Sequence, residues 1–122
     1  MHEIEMALEL IKAVDKAAKE CQGRRVSVVK VKLGKARGVN ALSLKAAFDW
    51  IKPDTVARET ELQIEEIPIF VHCSLCDASF NSEDVMPTCP SCGAMGGEVL
   101  MGDEFLVMGV EIGSPSLSTR AV

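Results

Sequence analysis

The chain has 122 residues, 48% of them hydrophobic and 25% charged, a length and balance that exclude disordered and fibrous proteins and fit one ordinary globular domain. Its net charge of −5 is uneven, with +5 over residues 1–58 and −10 over residues 59–122. The N-terminal residues lack the basic and apolar regions of a secretory signal. No apolar run in the sequence is long enough to cross a bilayer, so we expect a cytoplasmic protein.

The first predicted element is a helix from His2 to about Cys21, because apolar residues recur there at helical spacing. Gly23 is a plausible end for it. The predicted apolar face contains Ala7, Leu10, Ile11, Val14, Ala18 and Cys21. A Val-rich strand is predicted over residues 25–33, where valine and leucine alternate with lysine before a loop at residues 34–38.

A second helix is predicted between Leu42 and Ile51, where Leu, Ala and Phe residues supply the apolar positions. Asn40 or Ser43 stands near its start, since both residue types favour helix N-termini. Pro53 lies just past its end. These signals bound a helix of about three turns.

Two further extended stretches are predicted, over residues 61–71 and 98–112. The alternation in the first shifts at Glu66-Ile67, and Pro68 follows, which predicts a bulge or a sheet edge. In the second, every other residue from Leu106 to Ile112 is apolar, as on one face of a strand.

This order of elements predicts an α+β fold, with two helices packed on a small mixed β-sheet and a cysteine-containing module inserted before the last strand. We assign residues 1–69 with 98–113 to one α/β domain and residues 70–97 to the inserted module. The Ser-rich residues 114–122 are predicted to be a disordered tail.

Four of the five cysteines form two CxxC pairs, Cys73–Cys76 and Cys89–Cys92, separated by 12 residues. Two such turns facing each other can close a tetrahedron of thiolates around zinc, so the inserted module at residues 70–97 is predicted to be a zinc ribbon. Because protein sulfurs would fill all four positions, the predicted site is structural rather than catalytic. The alternatives are redox dithiols, unrelated core cysteines, or iron in a rubredoxin-like cage, although the chain has few of the aromatic residues typical of that cage.

Two other side chains could join metal chemistry. His72 precedes the first ligand and could replace a thiolate, but a filled site needs no fifth ligand, so we expect an ordinary histidine there. Cys21 falls on the apolar face of the first predicted helix, where packing in the core is the expected role.

The N-terminus offers a second candidate metal site. The amine of Met1, the deprotonated backbone nitrogen of His2 and its imidazole Nδ1 can form adjacent chelate rings, and Glu3 could supply a fourth ligand. Nitrogen-rich planar coordination is preferred by Ni(II) and Cu(II). A histidine at position 2 is common, however, so this pattern alone carries little weight.

The N-terminal pattern is more specific when it is considered together with the other sequence features. The MHE start, the Val-rich strand followed by Gly34, the second helix, the two CxxC pairs with a CPxCG half, and the closing strand together resemble the HypA/HybF family of hydrogenase maturation factors. The resemblance covers residues 1 to about 112.

This resemblance implies a nickel metallochaperone that helps to insert nickel into [NiFe]-hydrogenase. It implies a HypB-type GTPase and the hydrogenase large subunit as partners, with urease maturation proteins as further partners in some organisms. It assigns nickel to His2 with Glu3 adjacent, and structural zinc to Cys73, Cys76, Cys89 and Cys92. Some members of the family have an acidic residue in the loop before the second helix, where this chain has Asn40, so no ligand role is carried over to that position.

The main alternative is a zinc-ribbon module that binds nucleic acid or protein. Phosphate binding requires Lys or Arg near the module, and none lies between Arg58 and Arg120. We therefore expect neither nucleic acid nor a membrane as a partner. An iron electron carrier is a third possibility. Since no catalytic triad, phosphate loop or carboxylate pair is evident, we do not expect an enzyme.

Overall fold

The computed structural model describes residues 2–84 and 86–113. The helices and strands are α1 (His2–Glu20), β1 (Val26–Gly34), α2 (Ala41–Ile51), β2 (Glu61–Ile67), β3 (Ile69–His72), β4 (Ser79–Ser82), β5 (Glu98–Met101) and β6 (Phe105–Ile112). Short 3₁₀ turns at Lys35–Arg37 and Lys52–Asp54 flank α2. The predicted α+β class is confirmed, while the predicted tail at 114–122 lies outside the described residues.

The chain divides into two compact units. The first contains the described parts of residues 1–31, 39–64 and 107–122, and the second contains residues 32–38 and 65–106. The domain limits predicted from the sequence, with an insert at residues 70–97, stay a prediction.

In the first unit, α1 and α2 pack against each other. Their buried positions recur at intervals of three or four residues, as a helix face in a core requires. These positions are Ala7, Leu10, Val14 and Ala18 on α1, and Leu44, Ala47 and Phe48 on α2. Leu42 is 77% exposed, because it falls on the opposite side of α2 from that face. No helix in the described part of the chain is long and apolar enough to span a membrane.

The start of α2 is fixed by a side-chain cap. The Oδ1 atom of Asn40 accepts hydrogen bonds from the backbone N–H groups of Leu42 at 2.8 Å and Ser43 at 3.1 Å. These are two of the donors that have no partner within the helix itself. Of the two residues proposed for this end of the helix, Asn40 is therefore the cap.

The first sheet has the strand order β2-β1-β6. Thr60, just before β2, donates its hydroxyl to the Val26 carbonyl at 2.7 Å, so β1 and β2 begin side by side and run parallel. At the other edge, Gly113 N donates to Arg25 O at 2.7 Å, so the end of β6 lies beside the start of β1 and these strands are antiparallel. The parallel pair requires a crossover, which contains α2.

The second sheet has the order β4-β3-β5, and β3 is antiparallel to both neighbours. It forms because each of the two long predicted strands is interrupted. Pro68 separates β2 from β3, since proline has no N–H to donate to a ladder. Gly102 separates β5 from β6 with a φ of +103°, and a Cβ there would lie 2.7 Å from Pro68 O and Ile69 Cα. The prediction of one continuous strand over residues 98–112 is therefore wrong at Gly102.

The cap predicts a difference between two substitutions at one position. Asn40→Ala should lower the free energy of unfolding by about 0.5–2 kcal/mol, because two helix N–H groups lose their acceptor. Asn40→Asp should retain stability, since its carboxylate accepts the same bonds at the positive end of the helix. Urea unfolding followed by circular dichroism at 222 nm measures both, with the exposed Ser43→Ala as control. Equal losses in the two Asn40 variants would contradict the assignment.

Candidate metal centre

Each CxxC pair lies in a tight turn, and the two turns have the same backbone hydrogen bonds. The N–H of the first cysteine donates to the carbonyl five residues later, Cys73 to Ala78 and Cys89 to Ala94, at 2.8 Å in both turns. The residue four positions after that cysteine donates back to its carbonyl, at 2.9 Å in both turns. This repeated geometry directs both sulfurs of a turn to the same side.

The fourth residue after the first cysteine adopts a left-handed conformation in both turns. In the second turn this residue is Gly93, with φ of +80°, a conformation that glycine adopts without strain. In the first turn it is Asp77, with φ of +64°. Sequence reasoning missed Asp77, although aspartate is one of the few other residue types that tolerate this conformation.

The four sulfur atoms of Cys73, Cys76, Cys89 and Cys92 all lie within 4.8 Å of one another, and no cysteine is in a disulfide. Two of the separations, Cys73 to Cys92 and Cys76 to Cys89, are 3.6 Å. Sulfurs bound to zinc at about 2.3 Å in a tetrahedron would be about 3.8 Å apart. The spacing and the donor type therefore fit zinc, and the structure brings together all four residues that the sequence analysis selected.

Backbone dipoles favour thiolate on the first cysteine of each turn. At the buried Cys89, N–H groups of Cys92 and Ser91, each 3.4 Å from the sulfur, lower its pKa to about 6. The N–H of Cys76 likewise leads in lowering the pKa of the buried Cys73. A charged sulfur that accepts hydrogen bonds is stabilised relative to the thiol.

The pKa values of the two exposed cysteines, Cys76 and Cys92, shift in the opposite direction. The N–H of Ala78 lowers the pKa of Cys76, but the adjacent Cys89 sulfur and desolvation outweigh it and raise that pKa to about 12. The pKa of Cys92 is also raised, because the sulfur facing it from the other turn outweighs the Ala94 N–H. Four sulfurs this close cannot all be negative without a cation between them. A bound dication would ionise all four, and protons would be released.

His72 and Cys21 lie outside this cluster. His72 ends β3 half-buried, and its Nε2 is 3.4 Å from Asp77 Oδ1. Cys21 follows the end of α1 and is half-buried, less enclosed than the core role predicted for it.

The structure describes only part of the candidate nickel site at the N-terminus. His2 is the first residue of α1, while Met1 and the His2 side chain lie outside the description. Glu3 is half-buried in the first helical turn, where Glu5 is also acidic. The nickel ligands therefore stay a prediction. The side chain of Asn40, whose ligand role the sequence analysis did not support, acts as a helix cap.

The α+β fold and the four-cysteine centre define a small metal-binding protein. A family model described as hydrogenase/urease nickel incorporation, metallochaperone, hypA matches residues 1–112. The hydrogenase maturation factor HypA of Dehalococcoides mccartyi is 33% identical over 119 residues, which cover 98% of this chain and 100% of that protein. The protein of the same name from Chlorobium limicola is 32% identical over 112 residues, covering 92% of this chain and 97% of that protein.

Solved structures agree on the fold. The solution structure of the Ni metallochaperone HypA from Helicobacter pylori gives a TM-score of 0.61 at 20% identity, covering 90% of this chain and 96% of that one. A second solution structure, described as that of HypA protein, gives a TM-score of 0.64 at 23% identity. The match covers 92% of this chain and 96% of that one. The chain belongs to the HypA family of hydrogenase maturation factors.

The cysteine geometry predicts which thiols hold zinc. Cys89→Ser should lose tight zinc binding, because it removes one of the four converging sulfurs, whereas Cys21→Ser should bind one zinc per chain like the wild type. Zinc binding in the wild type should weaken as the pH falls, and more steeply below about 6, where Cys89 also takes up a proton in the metal-free protein. Competition titration with a chromophoric chelator measures each affinity. Unchanged affinity in Cys89→Ser would exclude this centre.

Proposed function

We propose that this protein is a nickel metallochaperone that binds Ni(II) at its N-terminus and delivers it for maturation of [NiFe]-hydrogenase. The observation that carries the proposal is the family match, which starts at residue 1 and so includes the sequence Met1-His2-Glu3. The ligands are the Met1 amine, the backbone nitrogen and imidazole Nδ1 of His2, and Glu3.

The position of His2 at the start of α1 supports this ligand set. The first four N–H groups of a helix have no partner within the helix, so the His2 amide can lose its proton without breaking a helical hydrogen bond. The same ligands placed inside the helix would require its local unwinding.

The charge of the first turn also favours a cation. A helix N-terminus carries a partial positive charge that opposes metal binding. Glu3 and Glu5, both in the first turn of α1, offset that charge. A site at the chain terminus can also release its metal by exchanging a few ligands, as a carrier requires.

Zinc has a different role in this proposal. The four cysteines leave no open coordination position, so zinc there would stabilise the fold and take no part in catalysis. Binding of zinc contributes about 10–16 kcal/mol in small modules of this kind, which is sufficient to determine whether the module folds.

The partners follow from the proposed delivery of nickel. We assign a HypB-type GTPase and the hydrogenase large subunit as partners in the cytoplasm, with urease maturation proteins as a further destination. The relatives described above are named hydrogenase maturation factors, and the family description includes urease. The acidic second half, with net charge −10 over residues 59–122, suits a basic partner surface.

Nickel titration of untagged protein tests the proposed site. His2→Ala should weaken nickel binding by an order of magnitude or more, because it removes the imidazole from the chelate. The matched control is His72→Ala, since His72 is the other histidine of the chain and should leave nickel binding unchanged. Calorimetry gives the affinities, and zinc content is measured in all three proteins. Nickel affinity in His2→Ala equal to that of the wild type would refute the N-terminal site.

Nickel binding should also depend on pH in a definite sense. Because metal requires a neutral imidazole and a deprotonated amide, affinity should fall as the pH decreases toward about 6, through the histidine range. Repeating the titration from about pH 8 to pH 6 provides the measurement. A flat profile over that interval would contradict coordination by His2.

A further inference from the structure

The first unit contains a basic cavity of about 260 Å³ that no metal site uses. It is lined by Gly23, Arg24, Arg25, Thr55, Val56, Arg58 and Glu59. These residues come from two segments, one after α1 and the other after α2. The three arginines and one glutamate among these residues give them a net charge of +2, in a chain whose net charge is −5.

The three arginines differ in their partners. Arg25 donates from its terminal nitrogen to Glu59 Oε1, so one guanidinium already holds an oxyanion. Within residues 2–84 and 86–113, the side chains of Arg24 and Arg58 form no ion pair. Two like charges on one small cavity repel each other unless an anion lies between them.

We propose that this cavity binds a phosphate group of a small molecule, held by Arg24 and Arg58 with Arg25 beside them. Guanidinium groups match phosphate oxygens with two parallel hydrogen bonds. A phosphate monoester carries about −1.5 to −2 charges at neutral pH, which complements the net +2 of the lining, whereas a carboxylate carries only one.

The size of the cavity limits the ligand. Pockets for drug-sized molecules are about 300–1,000 Å³, so this cavity is suited to one phosphate group with a short organic portion. The exposed Val56 gives such a portion an apolar surface to contact. The hydroxyl of Thr55 is already used, since it donates to Lys52 O and accepts from Ala57 N. Recognition therefore depends on the arginines.

Glu59 sets the affinity in this arrangement. Its carboxylate neutralises Arg25 and repels an incoming anion, so its removal should tighten binding. Such a gain cannot come from a damaged fold, and it separates this site from general attraction to basic residues.

The test is an NMR titration of the zinc-loaded full chain with inorganic phosphate, following the amides of Gly23, Val56 and Glu59. Saturable shifts are expected. The dissociation constant should rise about fivefold or more in Arg24→Gln and in Arg58→Gln, from loss of charged hydrogen bonds. It should fall about twofold or more in Glu59→Gln.

Matched controls have the same change of charge away from the cavity. Arg37→Gln and Glu61→Gln should leave the dissociation constant within about twofold of the wild-type value, since neither residue lines the cavity. Acetate at equal ionic strength should compete poorly. The proposal is overturned if the shifts do not saturate, if Arg37→Gln weakens binding as much as Arg58→Gln, or if acetate binds as tightly as phosphate.

Discussion

The close approach of four sulfur atoms is the constraint on which the second unit depends. Sulfurs within 4.8 Å of one another cannot all be thiolates in the absence of a cation, and as thiols they form only weak hydrogen bonds. The short strands β3, β4 and β5 offer little apolar area, and Val71 and Ile69 are among their few fully buried side chains. A metal bound by the four sulfurs would therefore supply stability that the small core of this module cannot provide.

This constraint distinguishes the four-cysteine centre from the proposed nickel site. A site enclosed by four protein ligands exchanges poorly, whereas the proposed ligands at His2 and Glu3 belong to the first turn of a helix. The family assignment connects the chain with nickel incorporation, and the four-cysteine geometry fits a structural zinc site. The acidic charge around the cysteines further distinguishes the module from zinc ribbons that bind phosphate backbones.

Much of the fold and of the cysteine centre could be predicted from the sequence, because residue spacing along the chain determines these features. The CxxC spacing selected the four cysteines that converge, and the periodicity of α1 and α2 located the buried face of each helix. The exposure of Leu42 could not be predicted, because an apolar residue at a helix start fits either face until the neighbouring elements are known. The break at Gly102 depends on how closely Pro68 approaches it, which is a tertiary contact. Arg24 and Arg58 are 34 positions apart, so no sequence pattern could place them on one cavity.

The two cysteine turns share their hydrogen bonds but not their residue at positive φ. Glycine adopts that conformation freely, whereas an aspartate in it costs about 1 kcal/mol. In the metal-free chain, the turn with Gly93 is therefore more nearly preorganised than the turn with Asp77. The preorganised turn also contains Cys89, whose pKa of about 6 makes it a thiolate at neutral pH. The two turns are therefore unequal before any metal binds, although all four sulfurs converge on one point.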